Sequence, residues 1–214
     1  MKNKILIISG SLLVLGLLFW LSSFLYKKEE TKRLRFVAQQ DFSVFVRDFS
    51  PKKGAENPQV YVVEFFDPEC ESCREFYPIM KQFLNEFEGK IQLVLRYAPF
   101  HPNSSFAVKM LEAARMQGKY WETLEIMLQY QPQWGSHHHP RPELLWKYVE
   151  LVGLDIDKLK VDMENPEILK NLAQDVEDAR TLNVRGTPTF FVNGKPLQGF
   201  GPDFLRNAIE QELK

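Results

Sequence analysis

Apolar and polar positions divide the chain into a uniform stretch followed by a patterned one. From Ile5 to Tyr26 no residue is charged, and Leu, Ile and Phe dominate. These 22 residues would make about 33 Å of helix at roughly 1.5 Å per residue, enough to cross a bilayer core. The apolar core of a cleaved signal peptide is shorter, about 7–15 residues, and ends in a small-residue site. An uncleaved anchor over 5–26 is therefore the preferred reading, with a signal peptide as the alternative. Trp20 and Tyr26 suit a membrane interface. Residues 1–4 read as a short tail and the polar residues 27–41 as a juxtamembrane stalk.

From residue 42 the pattern is globular. Residues 43–47 predict a short first strand, and Pro, Lys, Gly and Asn over 50–58 predict a loop. The run QVYVVEFF at 59–66 is β-branched and aromatic, which predicts a buried strand ending at Asp67-Pro68. Phe76, Met80, Phe83, Leu84 and Phe87 then recur at helical spacing, so a helix starts at or just before Cys70 and closes at Gly89. Residues 91–97 predict a second strand, completing a βαβ unit whose natural form is a parallel sheet. From about 104 to 182 the pattern is helical, broken at Gly118, at 131–142, at Gly153 and at Asn165-Pro166. Strand character returns at 188–192, turns at Asn193-Gly194 and continues through 195–198 as a hairpin. A last helix is predicted from Pro202 to Leu213.

Composition narrows the class. With 214 residues, 44% hydrophobic and 26% charged, the chain suits one well-buried α/β domain. A formal net charge of −1, with no base-stacking motif or phosphate-binding glycine loop, argues against a nucleic-acid partner.

The chemistry centres on Cys70 and Cys73, the two cysteines of the chain. This spacing serves redox pairs, haem attachment and half zinc sites alike. Arg74 follows Cys73, so the haem pattern fails, and no second pair completes a four-cysteine zinc site. A cysteine at a helix start meets free backbone N–H groups and the positive end of the helix dipole, both of which favour thiolate. Cys70 is thus expected to attack, and Cys73, one turn deeper, to resolve the mixed disulfide.

FFDPECESC at 65–73 together with GTPTFFVNG at 186–194 resembles the DsbA-like branch of the thioredoxin superfamily, over about residues 42–214. The resemblance implies a thioredoxin fold with a helical insertion at about 104–182, and thiol-disulfide oxidoreductase activity without metal or organic cofactor. It implies that Pro188, preceded by Thr187, is a cis-proline that faces the cysteines and holds an extended substrate segment. Glu64, six residues before Cys70, matches the buried acid of thioredoxin-like proteins and, if buried, would accept a proton from Cys73. A solvated strand end is the plainer reading of Glu64. The implied partners are proteins with thiols or disulfides and a membrane or soluble redox partner. The implied location is the periplasmic side of the inner membrane, on a single-pass anchor, although the positive charges after the apolar stretch would by themselves keep the domain in the cytoplasm.

The dipeptide Glu71-Ser72 departs from the family, where strong oxidases carry Pro-His. Asp67, Glu69 and Glu71 are expected to oppose a Cys70 thiolate and make the couple less oxidising. The direction of exchange stays open among oxidation, reduction and isomerisation. Two other functions compete: a metal-binding or copper-delivery protein, and a membrane assembly factor without catalysis. His137, His138 and His139 lie in a breaker-rich segment and read as a solvated loop rather than a metal site, and His101 as a loop residue. Lys27–Glu30 and Glu177–Arg180 read as solvated charge runs.

Overall fold

Seven residues, Val60–Phe66, form the strand on which the domain is built (β2), and their composition explains its place. All but Tyr61 are buried, so both faces of the strand are covered and both edges paired. In the computed structural model, which describes residues 2–136 and 139–214 (2–11 and 35 by backbone only), a five-stranded sheet has the order β1-β3-β2-β4-β5. Here β1 is Lys52–Gly54, β3 is Ile91–Tyr97, β4 is Thr189–Val192 and β5 is Lys195–Pro196. β2 and β3 are parallel, as the βαβ reading expects, whereas β1, β4 and β5 run antiparallel to their neighbours. Asn193 and Gly194 both take positive φ, which lets a two-residue turn join β4 to β5.

The chain divides into two units, 1–42 and 43–214. The first is one helix, α1 (Lys2–Gln40), so the expected tail, span and stalk are continuous in secondary structure. Among the described residues no helix is long and apolar enough to cross a membrane. Side chains of the uncharged stretch are described only from Leu12, and the helix from there to Tyr26 is about 22 Å long, short of a bilayer core of about 30 Å. The fold shown is thus a thioredoxin-type α/β domain preceded by a helix.

In the second unit, α2 (Glu71–Glu86) covers one face of the sheet with Cys73, Phe76, Met80 and Phe83. Between β3 and β4 lies the predicted helical layer: α3 (Ser104–Met116), α4 (Tyr120–Gln129), α5 (Gln131–Trp134), α6 (Leu144–Val149), α7 (Ile156–Asp162) and α8 (Pro166–Thr181). α9 (Pro202–Glu212) closes the domain with Leu205 and Ile209 buried.

The structure corrects three expectations. Residues 43–47 form no strand; Phe42–Val44 make a short 3₁₀ turn. The carbonyls of Val44 and Phe45 accept from the Arg96 guanidinium at 2.6 and 3.1 Å instead of from a neighbouring strand. The edge strand β1 lies instead within the expected loop. Its Gly54 has φ +113°, and an added Cβ there would meet the Ile91 carbonyl at 2.5 Å. The charge run Glu177–Arg180 is not wholly solvated either: Asp178 is buried and ion-paired with Arg96 and Arg47. With Asp175, which binds Arg96 at 2.7 Å and accepts from the Tyr97 N–H at 2.9 Å, it ties α8 to β3.

Candidate active site

Asp67 to Cys70 make the turn between β2 and α2, closed by the Cys70 N–H donating to the Asp67 carbonyl at 3.1 Å. Proline at its second position supplies the φ such a turn needs. Cys70 is the N-cap of α2, so its sulfur sits where the first N–H groups of the helix are unpaired. Both cysteines are free thiols. Cys70 is 6% exposed and Cys73, one turn along, is fully covered.

Facing Cys70 is the segment before β4. The Cys70 thiol donates to the Thr187 carbonyl at 3.3 Å, and the Thr187–Pro188 peptide bond is cis. Sequence reasoning singled out Cys70, Cys73, Thr187 and Pro188 from positions more than a hundred residues apart, and the fold brings them together. Glu71 and Ser72 line the open side of the site, a cleft of about 420 Å³ bounded also by Phe100, His101, Arg185 and Gly186.

The two sulfurs differ in acidity. Hydrogen bonding from Cys73 leads in lowering the Cys70 pKa, and outweighs burial with help from Thr187 and the backbone of Cys73 and Ser72. The result is a drop from 9.0 to about 6. The Cys73 thiol is pushed well above its ordinary value by burial first, then by its bond to Cys70 and the charge of Glu64. At pH 7 a single thiolate is expected, so iodoacetamide should modify one equivalent of cysteine, at Cys70, with a half-maximal rate near pH 6.

Glu64 lies in the middle of β2, opposite Leu95 of β3 and Phe190 of β4, and is 3% exposed, so the solvated strand end is excluded. Strand alternation places it on the face of Val62 and Phe66, which α2 covers. Burial, then the Cys70 charge, raise its carboxyl from 4.5 to about 8.

Expected opposition from the neighbouring acids is changed by how they are bonded. Asp67, fully buried, accepts from the N–H groups of Glu69, Phe100 and His101, from Ser104 and from the His101 ring. Glu69 accepts from the Asn103 backbone at 2.7 Å and its side chain at 2.9 Å. These side chains therefore accept hydrogen bonds that shape the turn, and the Cys70 pKa is lowered despite them.

Sequence reasoning missed two residues. Gln131, in a segment read as surface loop, is buried, and its amide donates to the carbonyls of Pro68 and Cys70 at 2.8 and 3.0 Å. The signal for it was Trp134 three residues on, whose indole is fully buried and bonded to the Met127 carbonyl. Gln131→Leu should leave both turn carbonyls without this donor and lower stability by about 1–3 kcal/mol, read by thermal denaturation. His101 is the other, bonded to Asp67 at 2.7 Å on the rim of the cleft. Of the histidine run, His137 and His138 lie outside the described residues and His139 is exposed.

A thioredoxin-type sheet with a cysteine pair at the start of its first packed helix is a frame that favours a reactive thiolate. The chain belongs to the thioredoxin family, whose model matches residues 50–211, and resembles thiol-disulfide oxidoreductases of that fold. A thioredoxin-like oxidoreductase from Silicibacter pomeroyi is 28% identical, with a TM-score of 0.70, over 80% of this chain and 96% of that one. BdbD from Bacillus subtilis is 26% identical, with a TM-score of 0.66, over 77% of this chain and 92% of its own. Among curated relatives, the Na(+)/H(+) antiporter NhaA 3 of Salinispora tropica is 33% identical over 150 residues, 69% of this chain but 22% of the antiporter. The chain thus spans about a fifth of the length of that relative.

Proposed function

We propose that the chain exchanges disulfides with protein thiols through Cys70 and Cys73. The observation that carries this reading is geometric: the pair begins α2 with Cys70 at its N-cap, and the Cys70 sulfur lies 3.3 Å from the Thr187 carbonyl beside the cis Thr187–Pro188 bond. A substrate thiolate attacks the Cys70 sulfur of the oxidised pair, breaking the Cys70–Cys73 bond and forming a mixed disulfide. The displaced Cys73 thiolate takes a proton, for which Glu64, protonated below about pH 8, is the donor on the covered face. A second substrate thiolate then attacks the substrate sulfur of the mixed disulfide. The substrate disulfide forms, Cys70 leaves as thiolate, and two electrons remain on the pair until a disulfide or quinone partner removes them. The reverse sequence reduces a substrate disulfide. Thr187 and Pro188 lie beside the attacked sulfur and suit an extended substrate backbone.

The direction follows from acidity, because a more stable thiolate makes a more oxidising disulfide. A thiol near pH 6 lies between thioredoxin, about 7 at roughly −270 mV, and DsbA, about 3.5 at roughly −120 mV. The couple is expected between these two potentials and nearer the thioredoxin end, away from a strong oxidase, as equilibration with glutathione would measure. Catalysis of insulin reduction and of oxidative refolding of a reduced protein tests the function itself. Failure of both with wild-type protein overturns it.

Among the described residues no group of three His, Cys, Asp or Glu is placed to hold a metal ion. The uncharged stretch Ile5–Tyr26 supports, from sequence alone, an anchor that holds domain 42–214 on the periplasmic side of a membrane, where disulfides persist. Alkaline extraction of membranes and protease accessibility in spheroplasts test this; release by alkali, or protection of the domain, would overturn it.

A further inference from the structure

The turn that carries Cys70 is unusually acidic for a centre that works as a thiolate. Asp67 and Glu69 are buried within it, and Glu71 follows Cys70. The hydrogen bonds to Asp67 and Glu69 spread their charge without cancelling it. The ion pair to Asp67 comes from His101, whose Nδ1 lies 2.7 Å from Oδ2 while its backbone N–H donates to the same oxygen at 3.2 Å. The residue is thus held at two points, one on the ring and one on the backbone, and it lines the cleft that Cys70, Glu71 and Ser72 also line. The groups facing it are Asp67, Glu69 and Cys70 from the turn, Glu71 from α2, and Arg185 from the segment before Pro188.

We infer that His101 is a positioning residue of the exchange reaction: fixed by Asp67 on the rim of the cleft, its imidazolium offsets the buried carboxylate and holds Cys70 as thiolate. This rests on Cys70 being the attacking sulfur. Partial burial works against a charged ring, but the bond to Asp67 and the negative charges of Asp67, Cys70 and Glu69 raise its pKa above 6.5. Coupling between two titrating groups is reciprocal. If a thiolate at Cys70 favours the imidazolium, the imidazolium favours the thiolate. The histidine that strong oxidases of the branch carry between their cysteines is replaced here by Ser72, and a charge of the same kind reaches the cleft from the loop after β3.

The test is the pH profile of Cys70 alkylation by iodoacetamide in the wild-type chain, His101→Gln and His101→Lys, with disulfide-exchange turnover measured alongside. Removing the charge should move the midpoint upward by about 1 unit. From a wild-type midpoint near 6, that slows alkylation about fivefold at pH 6 and leaves it almost unchanged at pH 8. His101→Lys, which keeps a cation beside Asp67, should restore the wild-type midpoint. A loosened loop would instead change the rate by the same factor at every pH. The inference is overturned if His101→Gln keeps the wild-type midpoint, or if the Gln and Lys variants shift it equally. Absence of turnover in the wild type would instead remove the exchange reading, since the alkylation profile is measured without turnover.

Discussion

Cys70→Ser is expected to bring disulfide exchange down to the uncatalysed rate, a loss on the order of 10³-fold or more. The serine hydroxyl cannot ionise near neutral pH and cannot form a disulfide, so neither half of the exchange has a route. Cys73→Ser should behave differently. Cys70 keeps its place at the N-cap and still attacks, but nothing resolves the product, so covalent enzyme–substrate disulfides should accumulate and be visible on non-reducing gels. Turnover retained by Cys70→Ser would refute the assignment of roles. Loss of turnover in Cys73→Ser without trapped adducts would refute the order of attack.

The second large effect is on stability. Glu64 titrates at about 8 in the folded chain and near 4.5 when exposed. Its folded pKa is the higher, so between these values the folded state holds a proton that the unfolded state has released. Stability from this group is therefore full below about 4.5 and is lost as pH rises through 8. From pH 5 to 8 the loss should be roughly 3–4 kcal/mol. Glu64→Gln should flatten that slope, so the variant gains on the wild type steadily with pH in urea denaturation curves. Equal slopes for the two proteins would mean that Glu64 is not held protonated beneath the cysteines. The same substitution should slow resolution of the mixed disulfide while leaving alkylation of Cys70 nearly intact, because Glu64 acts on the covered side.

Much of the fold was legible because the signals were local and strong. The run VYVVEFF could only be satisfied by cover on both faces, and the helical spacing from Phe76 to Phe87 followed directly on the Asp-Pro stop. Asn193-Gly194 specified a hairpin turn by the two positive φ values it tolerates. Two of the errors share one physical cause, which is long-range pairing of polar groups with Arg96. Residues 43–47 looked like a strand, but their carbonyls are taken by Arg96, an internal cation recruited from β3. Asp178 looked solvated, and is the carboxylate that the same cation needs. At the site, the cysteines and the Thr187-Pro188 pair were legible through residue type and spacing. The effect of the neighbouring acids was not, because it depends on which donors the fold brings to Asp67 and Glu69. His101 and Gln131 were hard to read for the same reason: they act across 34 and 61 residues on a turn with which they share no periodicity, and only Gln131 had a nearby signal, in Trp134.

The placement of the helical layer between β3 and β4 has a consequence for the birth of the protein. Cys70 and the Thr187 carbonyl that touches it are 117 positions apart. At the roughly 5–20 residues per second of ribosomal synthesis, the second half of the site follows the first by roughly 6–23 s. Through that interval the cysteines lack the Thr187 contact, and the edge of β2 that β4 will pair with has no partner strand. The pair therefore meets its facing carbonyl, and β2 its second neighbour, only when residues 187–192 have been made.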